Sequence, residues 1–129
     1  MFIPKRRQIS DVEPHVYLPG TEGETFQPGQ AAQLVEGKLT KASGAVLPSH
    51  ICMGPVNSRG LVPCIGLVST TRFAAPATAA VAQSLVGSAV TMDEDGLGVT
   101  ATTSGGVFVI DETDGDKQVV GHFAVGASA

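Results

Sequence analysis

The sequence predicts a small all-β domain, a β-barrel or a β-sandwich, with an extended N-terminal arm. Short apolar runs recur about every 8–12 residues between turn-forming residues, and no stretch has a convincing amphipathic helical pattern. Glycine is abundant, at 16 of 129 residues, which suits a chain with many tight turns. The length fits one domain.

Residues 1–30 differ in composition from the rest of the chain. They contain four of the eight prolines and the basic run Lys5-Arg6-Arg7, but few apolar residues at regular spacing. Proline lacks a backbone donor and biases the preceding residue towards extended conformations. We expect an arm that is disordered or held by a partner surface, because ordering costs about 1–2 kcal/mol of backbone entropy per residue. Residues 31–129 are expected to form the β domain.

The first part of the β domain contains a predicted hairpin. A two-residue turn at Glu36-Gly37 places Leu34 opposite Leu39. Residues 61–69 form a further predicted strand that contains Pro63. Because proline cannot donate to a strand ladder, Pro63 is expected at a sheet edge or a bulge.

The chain around residue 100 shows a period of two. Apolar residues alternate with glycine and threonine over residues 97–102, which predicts a strand. Residues 74–82 are rich in alanine but contain Pro76 and a threonine, so a short helix and an irregular loop both stay open.

A second hairpin is predicted at Asp114-Gly115, because both central residues of a type I′ turn need positive φ. A two-residue turn there sets the register of the flanking strands. It pairs Glu112 with Lys117, which are oppositely charged, and Ile110 with Val119.

Charge and hydropathy exclude two classes of partner. The formal net charge is −4, which argues against a general nucleic-acid binder, since phosphate affinity needs clustered cations. The longest uncharged run, residues 73–92, is too polar and too interrupted for a membrane span. The N-terminus lacks the apolar stretch of a secretory signal. We expect a soluble protein, made in a cytoplasm, with no direct nucleic-acid partner and no membrane partner.

No residue pattern predicts a reaction centre. His15, His50 and His122 are far apart in the sequence, and no nucleophile motif accompanies them. His50, Cys52 and Cys64 could supply three zinc ligands, but a fourth has no obvious source and the spacing matches no common site. We therefore expect neither an enzyme nor a metal or other cofactor, and interpret the two cysteines as reduced core thiols.

Acidic residues cluster in residues 93–95 and 111–116. Neither stretch follows the ligand pattern of a calcium-binding loop. Aspartate is favoured in turns, so these carboxylates are expected to lie in solvent.

Residues 84–124 carry a resemblance to a known family. They combine a Gly-Ser-x-Val strand entry, an acidic-Gly turn, a Val-Thr-x-Thr strand and a Val-Val-Gly before the last strand. In these features the stretch, about a third of the chain, resembles the C-terminal part of bacteriophage capsid decoration proteins, also called cement proteins. The resemblance implies a small β-rich protein without catalytic residues that binds the outside of an assembled head and reinforces it, often as a trimer.

The resemblance and the arm together imply a virion protein, made in the host bacterial cytoplasm and located on the outer capsid surface. Its expected partners are the major capsid protein and further copies of the chain in a homotrimer. The arm residues expected to contact the capsid, by adding a strand to the shell, are Phe2, Ile3, Lys5, Arg6, Arg7, Ile9, Val12 and Tyr17. The residues expected at the subunit interface are Leu61, Val62, Ile65 and Leu67.

Two alternatives stay open. The first is another phage structural component, such as a head-fibre base, a fibre-anchoring domain or a tail-tube-like ring protein. The second is a small β-barrel that binds a ligand or a metal ion through His50, Cys52 and Cys64.

Overall fold

The computed structural model describes residues 2–7, 16–68 and 71–124, and in these the protein is all-β with two antiparallel sheets. This confirms the predicted class. The sheets are not closed into a barrel, so the fold is sandwich-like. Among the described residues there is no α-helix, only one 3₁₀ turn at Gln83–Leu85.

Each sheet contains five strands. The strands of the first sheet are β1 (Ile3–Arg7), β7 (Thr71–Pro76), β8 (Ala89–Val90), β9 (Phe108–Thr113) and β10 (Gln118–Phe123), in the spatial order β1–β7–β10–β9–β8. The strands of the second sheet are β2 (Val16–Pro19), β3 (Ala31–Val35), β4 (Lys38–Lys41), β5 (His50–Cys52) and β6 (Leu61–Gly66), in the spatial order β2–β6–β5–β3–β4.

The larger hydrophobic core contains residues from both sheets and is centred on four phenylalanines. Phe2, Phe73, Phe108 and Phe123 are all at most 1% exposed. Phe123 contacts the other three rings, with centroid separations of 4.9 to 5.6 Å. The second sheet adds Ile51 to this core. Tilted and edge-to-face ring pairs of this kind stabilise a core beyond the area that they bury.

The second sheet also carries a smaller core on its other face, because successive side chains of a strand point to opposite sides. Leu39, Cys52 and Cys64 belong to this core, and Phe26 packs against them at 5% exposure. Thr21 anchors the segment before Phe26, since its N–H and its Oγ1 both donate to the Leu39 carbonyl, at 2.8 and 2.9 Å.

The N-terminal strands pair within their own chain. β1 lies antiparallel to β7 and β2 lies antiparallel to β6, so both segments are extended, as expected. However, Phe2 is buried among distant aromatic rings and Phe26 covers the smaller core. The expected arm, separate from the β domain, is therefore wrong for residues 2–7 and 16–30. The composition of residues 1–30 did not indicate that Phe2 is buried, because Phe2 packs against residues near the other end of the chain.

The predicted hairpin with its turn at Glu36-Gly37 is confirmed. Glu36 and Gly37 have φ of 52° and 80°, as a type I′ turn requires, and Leu34 lies opposite Leu39.

The second predicted hairpin forms, but its register differs. Glu112 lies opposite Val120 and Ile110 lies opposite Gly121, so both predicted cross-strand pairs are wrong. The register changes between Val120 and Gly121, where the ladder is irregular.

The side chain of Asp114 explains the longer turn. Its Oδ1 accepts the backbone N–H of Asp116 at 2.8 Å and that of Gln118 at 3.3 Å. The Asp114 N–H in turn donates to the Gln118 carbonyl at 3.1 Å. These bonds close a loop of residues 115–117 instead of a two-residue turn.

The structure also shows the conformation of two further segments. Residues 97–102 are not a strand as predicted, because Val99 makes only isolated bridges, to Ala77 and to Met92. Residues 74–76 belong to β7, and residues 77–82 are irregular, so the helix alternative is wrong.

Pro63 lies in an interior strand, not at a sheet edge. The β2–β6 and β5–β6 ladders have no register shift, so Pro63 does not lie at a bulge either. Its carbonyl accepts the Met53 N–H at 2.8 Å, just beyond the end of β5. Proline has no backbone N–H to donate. At Pro63 this donor is missing at a position where the β5 ladder has already ended.

Candidate interaction surface

Nine large apolar side chains are at least 40% exposed among the residues that the structure describes. They are Ile3, Val16, Tyr17, Leu34, Val35, Val46, Leu47, Val56 and Val68. Single exposed apolar residues are normal on a protein surface, so their grouping is the informative feature. Val16 and Tyr17 both lie on β2, the outermost strand at one end of the second sheet, and their side chains point to opposite faces of it.

Tyr17 has the highest exposure of the nine, at 57%. It lies opposite Pro63 in the β2–β6 ladder. Together with Leu61 and Arg59 it lines an open surface depression of about 430 Å³, completed by Asn57 and Ser58. A tyrosine, a leucine and an arginine thus line one shallow surface beside a strand edge.

Asn57 shapes the wall of this depression. Its Oδ1 accepts the backbone N–H of Arg59 at 2.8 Å and that of Leu61 at 3.1 Å. Its own N–H donates to the Leu61 carbonyl at 2.8 Å. The turn that carries Arg59 is therefore fixed by side-chain and backbone bonds.

Two of the predicted capsid-contact residues are exposed, Ile3 at 49% and Tyr17 at 57%. Phe2 is not available for such a contact because it is buried in the larger core, so that assignment is corrected. The remaining predicted contact residues are Lys5, Arg6 and Arg7, whose backbone belongs to β1, and Ile9 and Val12, which lie outside the described residues.

The four residues predicted at the subunit interface likewise differ in their exposure. Val62 is 0% exposed in the smaller core and Ile65 is 1% exposed in the larger one, so neither can form an interface. The prediction failed because both faces of β6 are covered. Leu61 and Leu67 are partly buried, and Leu61 borders the depression.

A charged cluster lies on the outer face of the first sheet and was not predicted. Nδ1 of His122 is 2.8 Å from Oδ2 of Asp111, and Nε of Arg72 is 3.0 Å from the same oxygen. His122 faces away from the core while Phe123 is buried, as expected. The contacts tie together β7, β9 and β10, but the cluster could not be found without the strand register.

The buried thiols are poor nucleophiles at neutral pH. Burial raises the pKa of Cys52 to about 12 and that of Cys64 to about 11. Burial lowers the pKa of His50, whose Nδ1 lies 2.7 Å from Oγ of Ser49. Although the register places His50, Cys52 and Cys64 on one face, the described residues contain no group of three or more histidine, cysteine or acidic side chains that could hold a metal ion.

The acidic turns use their carboxylates locally. Oδ1 of Asp93 accepts the backbone N–H groups of Asp95 and Leu97, both at 3.1 Å. Asp114 does the same in its own turn. These side chains therefore stabilise turns, in line with their predicted turn positions.

Within the part of the chain that the structure describes, no helix has the length and apolar character needed to cross a membrane. No protein-family model matches this chain, and comparison with curated proteins finds no match.

Proposed function

We propose that this chain is a structural virion protein that binds the outer surface of an assembled phage head and reinforces it. The observation that carries the proposal is the exposed Tyr17 on β2, beside a depression lined by Leu61 and Arg59. Tyrosine and arginine are enriched at protein–protein contacts and often dominate their affinity. The resemblance of residues 84–124 to capsid decoration proteins supports the major capsid protein as the partner.

In this proposal the folded domain, not a free N-terminal arm, makes the contact with the shell. For β1 to leave and join a shell, Phe2 would have to leave the larger core. Losing a buried phenylalanine side chain costs about 3–5 kcal/mol. The proposed contact therefore uses Tyr17 and its surroundings while β1 stays paired with β7.

The proposal includes a homotrimer on the shell. A closed ring presents several copies of the Tyr17 surface at once. Linked copies bind more tightly than one copy would, because the later contacts become intramolecular. A modest contact area on each chain then suffices for stable attachment.

Co-sedimentation with phage heads that lack this protein tests the proposal. The wild-type chain is expected to pellet with the heads at saturable occupancy. Tyr17→Ser is expected to weaken binding by about 30-fold, the effect of losing about 2 kcal/mol at a dominant contact. Val46→Ser is the matched control, since Val46 is also exposed, at 41%, but lies in the loop between β4 and β5.

Two results would count against the proposal. If the wild-type protein does not pellet with the heads, decoration is wrong. If Tyr17→Ser binds as tightly as Val46→Ser, the β2 surface is not the contact. Negative-stain images that show stacked rings of purified protein would instead favour a tail-tube-like component.

A further inference from the structure

Cys52 and Cys64 face each other across two neighbouring strands. The β5–β6 register places them directly opposite. The backbone of Cys52 forms its hydrogen bonds on the side of β5 that faces away from β6. Its N–H donates to the Gln30 carbonyl at 2.8 Å, and its carbonyl accepts the Gly29 N–H at 2.7 Å. Cys52 and Cys64 are therefore a non-hydrogen-bonded cross-strand pair.

This kind of pair suits a disulfide. In antiparallel sheets the Cα atoms of such a pair lie about 4.5 Å apart and the side chains are close. Disulfides span Cα separations of about 4.4–6.8 Å, so this pairing lies within the range that a disulfide can bridge.

The surroundings keep both thiols protonated. Both residues are 0% exposed, in the smaller core, and both are free. The Cys64 thiol donates to the Val16 carbonyl at 3.5 Å, so it lies next to the outer strand β2. Burial raises the pKa of Cys52, and the neighbouring Cys64 raises it further, which agrees with their proximity.

We propose that Cys52 and Cys64 form an intramolecular disulfide when the protein meets a peroxide outside a reducing cytoplasm. In the first step the Cys64 thiolate attacks one oxygen of hydrogen peroxide. The O–O bond breaks, Cys64 becomes a sulfenic acid, and the released hydroxide takes up the thiol proton to form water. In the second step the Cys52 sulfur attacks the Cys64 sulfur and the S–O bond breaks. The departing hydroxyl group takes the Cys52 thiol proton and leaves as a second water. Two thiols and one peroxide thus give one disulfide and two waters.

Cys64 reacts first because of its position. Opening of the short strand β2 removes the Val16 carbonyl from the Cys64 thiol and admits a small oxidant, whereas Cys52 lies between β6 and β3. Since peroxide must wait for this opening, the reaction is slow compared with that of an exposed thiol.

The disulfide would link β5 covalently to β6 and restrict the conformations of the unfolded chain between the two cysteines. The chemistry does not depend on the proposed function. Only its biological setting rests on that function: a virion protein is made in a reducing cytoplasm and then released into oxidising surroundings.

Intact-mass spectrometry of the purified full chain tests the proposal. After hydrogen peroxide treatment the wild-type chain is expected to lose the mass of two hydrogen atoms, and a proteolytic digest is expected to contain one peptide pair joined through Cys52 and Cys64. The Tm should rise by about 5–10 °C and return to its starting value with a reducing agent. Cys52→Ala and Cys64→Ala are the controls, and neither should lose two hydrogens or gain Tm.

The proposal is overturned if both thiols of the wild-type chain can still be alkylated after peroxide treatment and unfolding. It is equally overturned if the products are disulfide-linked dimers or sulfinic acids without the internal cross-link. Because the readouts are mass and Tm, these failures are distinct from a failure to bind phage heads.

Discussion

The ring centroids of Phe2 and Phe123 lie 4.9 Å apart, with the two ring planes inclined by 56°. The contact joins the residue before β1 to the last residue of β10, and the Phe2 N–H is held by the Gly29 carbonyl at 2.8 Å. The N-terminal strand is therefore built into the domain, so the proposed attachment to a shell has to leave it in place.

Removing the Phe2 ring should destabilise the whole domain. Phe2→Ala leaves a cavity beside Phe108 and Phe123 and is expected to lower the free energy of unfolding by about 3–5 kcal/mol, measured by urea denaturation. Ile3→Ala is the neighbouring control, because Ile3 is 49% exposed and should change stability much less. Equal effects of the two substitutions would contradict burial of Phe2.

Gly121 is required by the irregular β9–β10 ladder. A Cβ at this position would collide with the Val109 carbonyl and lie 2.6 Å from a ring carbon of Phe108, both of which belong to β9. Gly121→Ala is expected to cost about 1–3 kcal/mol by chemical denaturation. In Gly66→Ala, the strand control, the new methyl meets no atom within 4 Å, so that variant should stay near the wild-type stability.

Stability should fall at alkaline pH because of the two buried thiols. Their pKa values are raised from 9.0 in the unfolded chain to about 12 for Cys52 and about 11 for Cys64 in the folded protein. Above pH 9 the unfolded state loses these protons first, so the contribution is complete below pH 9 and is lost as the pH rises towards 11 and 12.

Urea denaturation at a series of pH values, on reduced protein, measures this effect. The double variant Cys52→Ala/Cys64→Ala keeps the tyrosine and the lysines, so the difference between its pH profile and that of wild type isolates the thiols. Parallel profiles above pH 9 would show that the thiols ionise equally in both states.

Asp114 sets the turn between β9 and β10. Asp114→Ala removes the acceptor of the Asp116 and Gln118 N–H groups and is expected to cost about 0.5–1 kcal/mol. Asp116→Ala is the matched control, since it removes a neighbouring carboxylate of the same charge. Equal Tm values for the two variants would mean that the carboxylate of Asp114 does not hold the loop.

Local signals predicted the all-β class and the Glu36-Gly37 hairpin, because a two-residue turn fixes its own register. They failed where a side-chain hydrogen bond, an irregular ladder or a distant group decides the outcome. The Asp114 side chain lengthened the second hairpin, and the irregular ladder between Val120 and Gly121 shifted its register further. Phe2 could not be recognised as a core residue, because the rings that bury it come from β9 and β10.

The candidate surface was only partly predictable for the same reason. The exposure of Tyr17 agrees with its assignment as a contact residue, which itself stays a prediction. Val62 and Ile65 were misassigned because the sequence did not reveal that β6 is covered on both faces by separate cores. The cluster of Arg72, Asp111 and His122 depends on the pairing of three strands, which no short-range pattern contains.

A cryo-electron microscopy reconstruction of phage heads incubated with the purified protein would show whether the protein decorates them and through which surface. We expect ordered density on the outside of the shell, with the Tyr17 surface against the major capsid protein and β1 still paired with its own β7. Undecorated heads at saturating protein, or decorated heads in which residues 2–7 have left their own sheet to join the shell, would contradict this expectation.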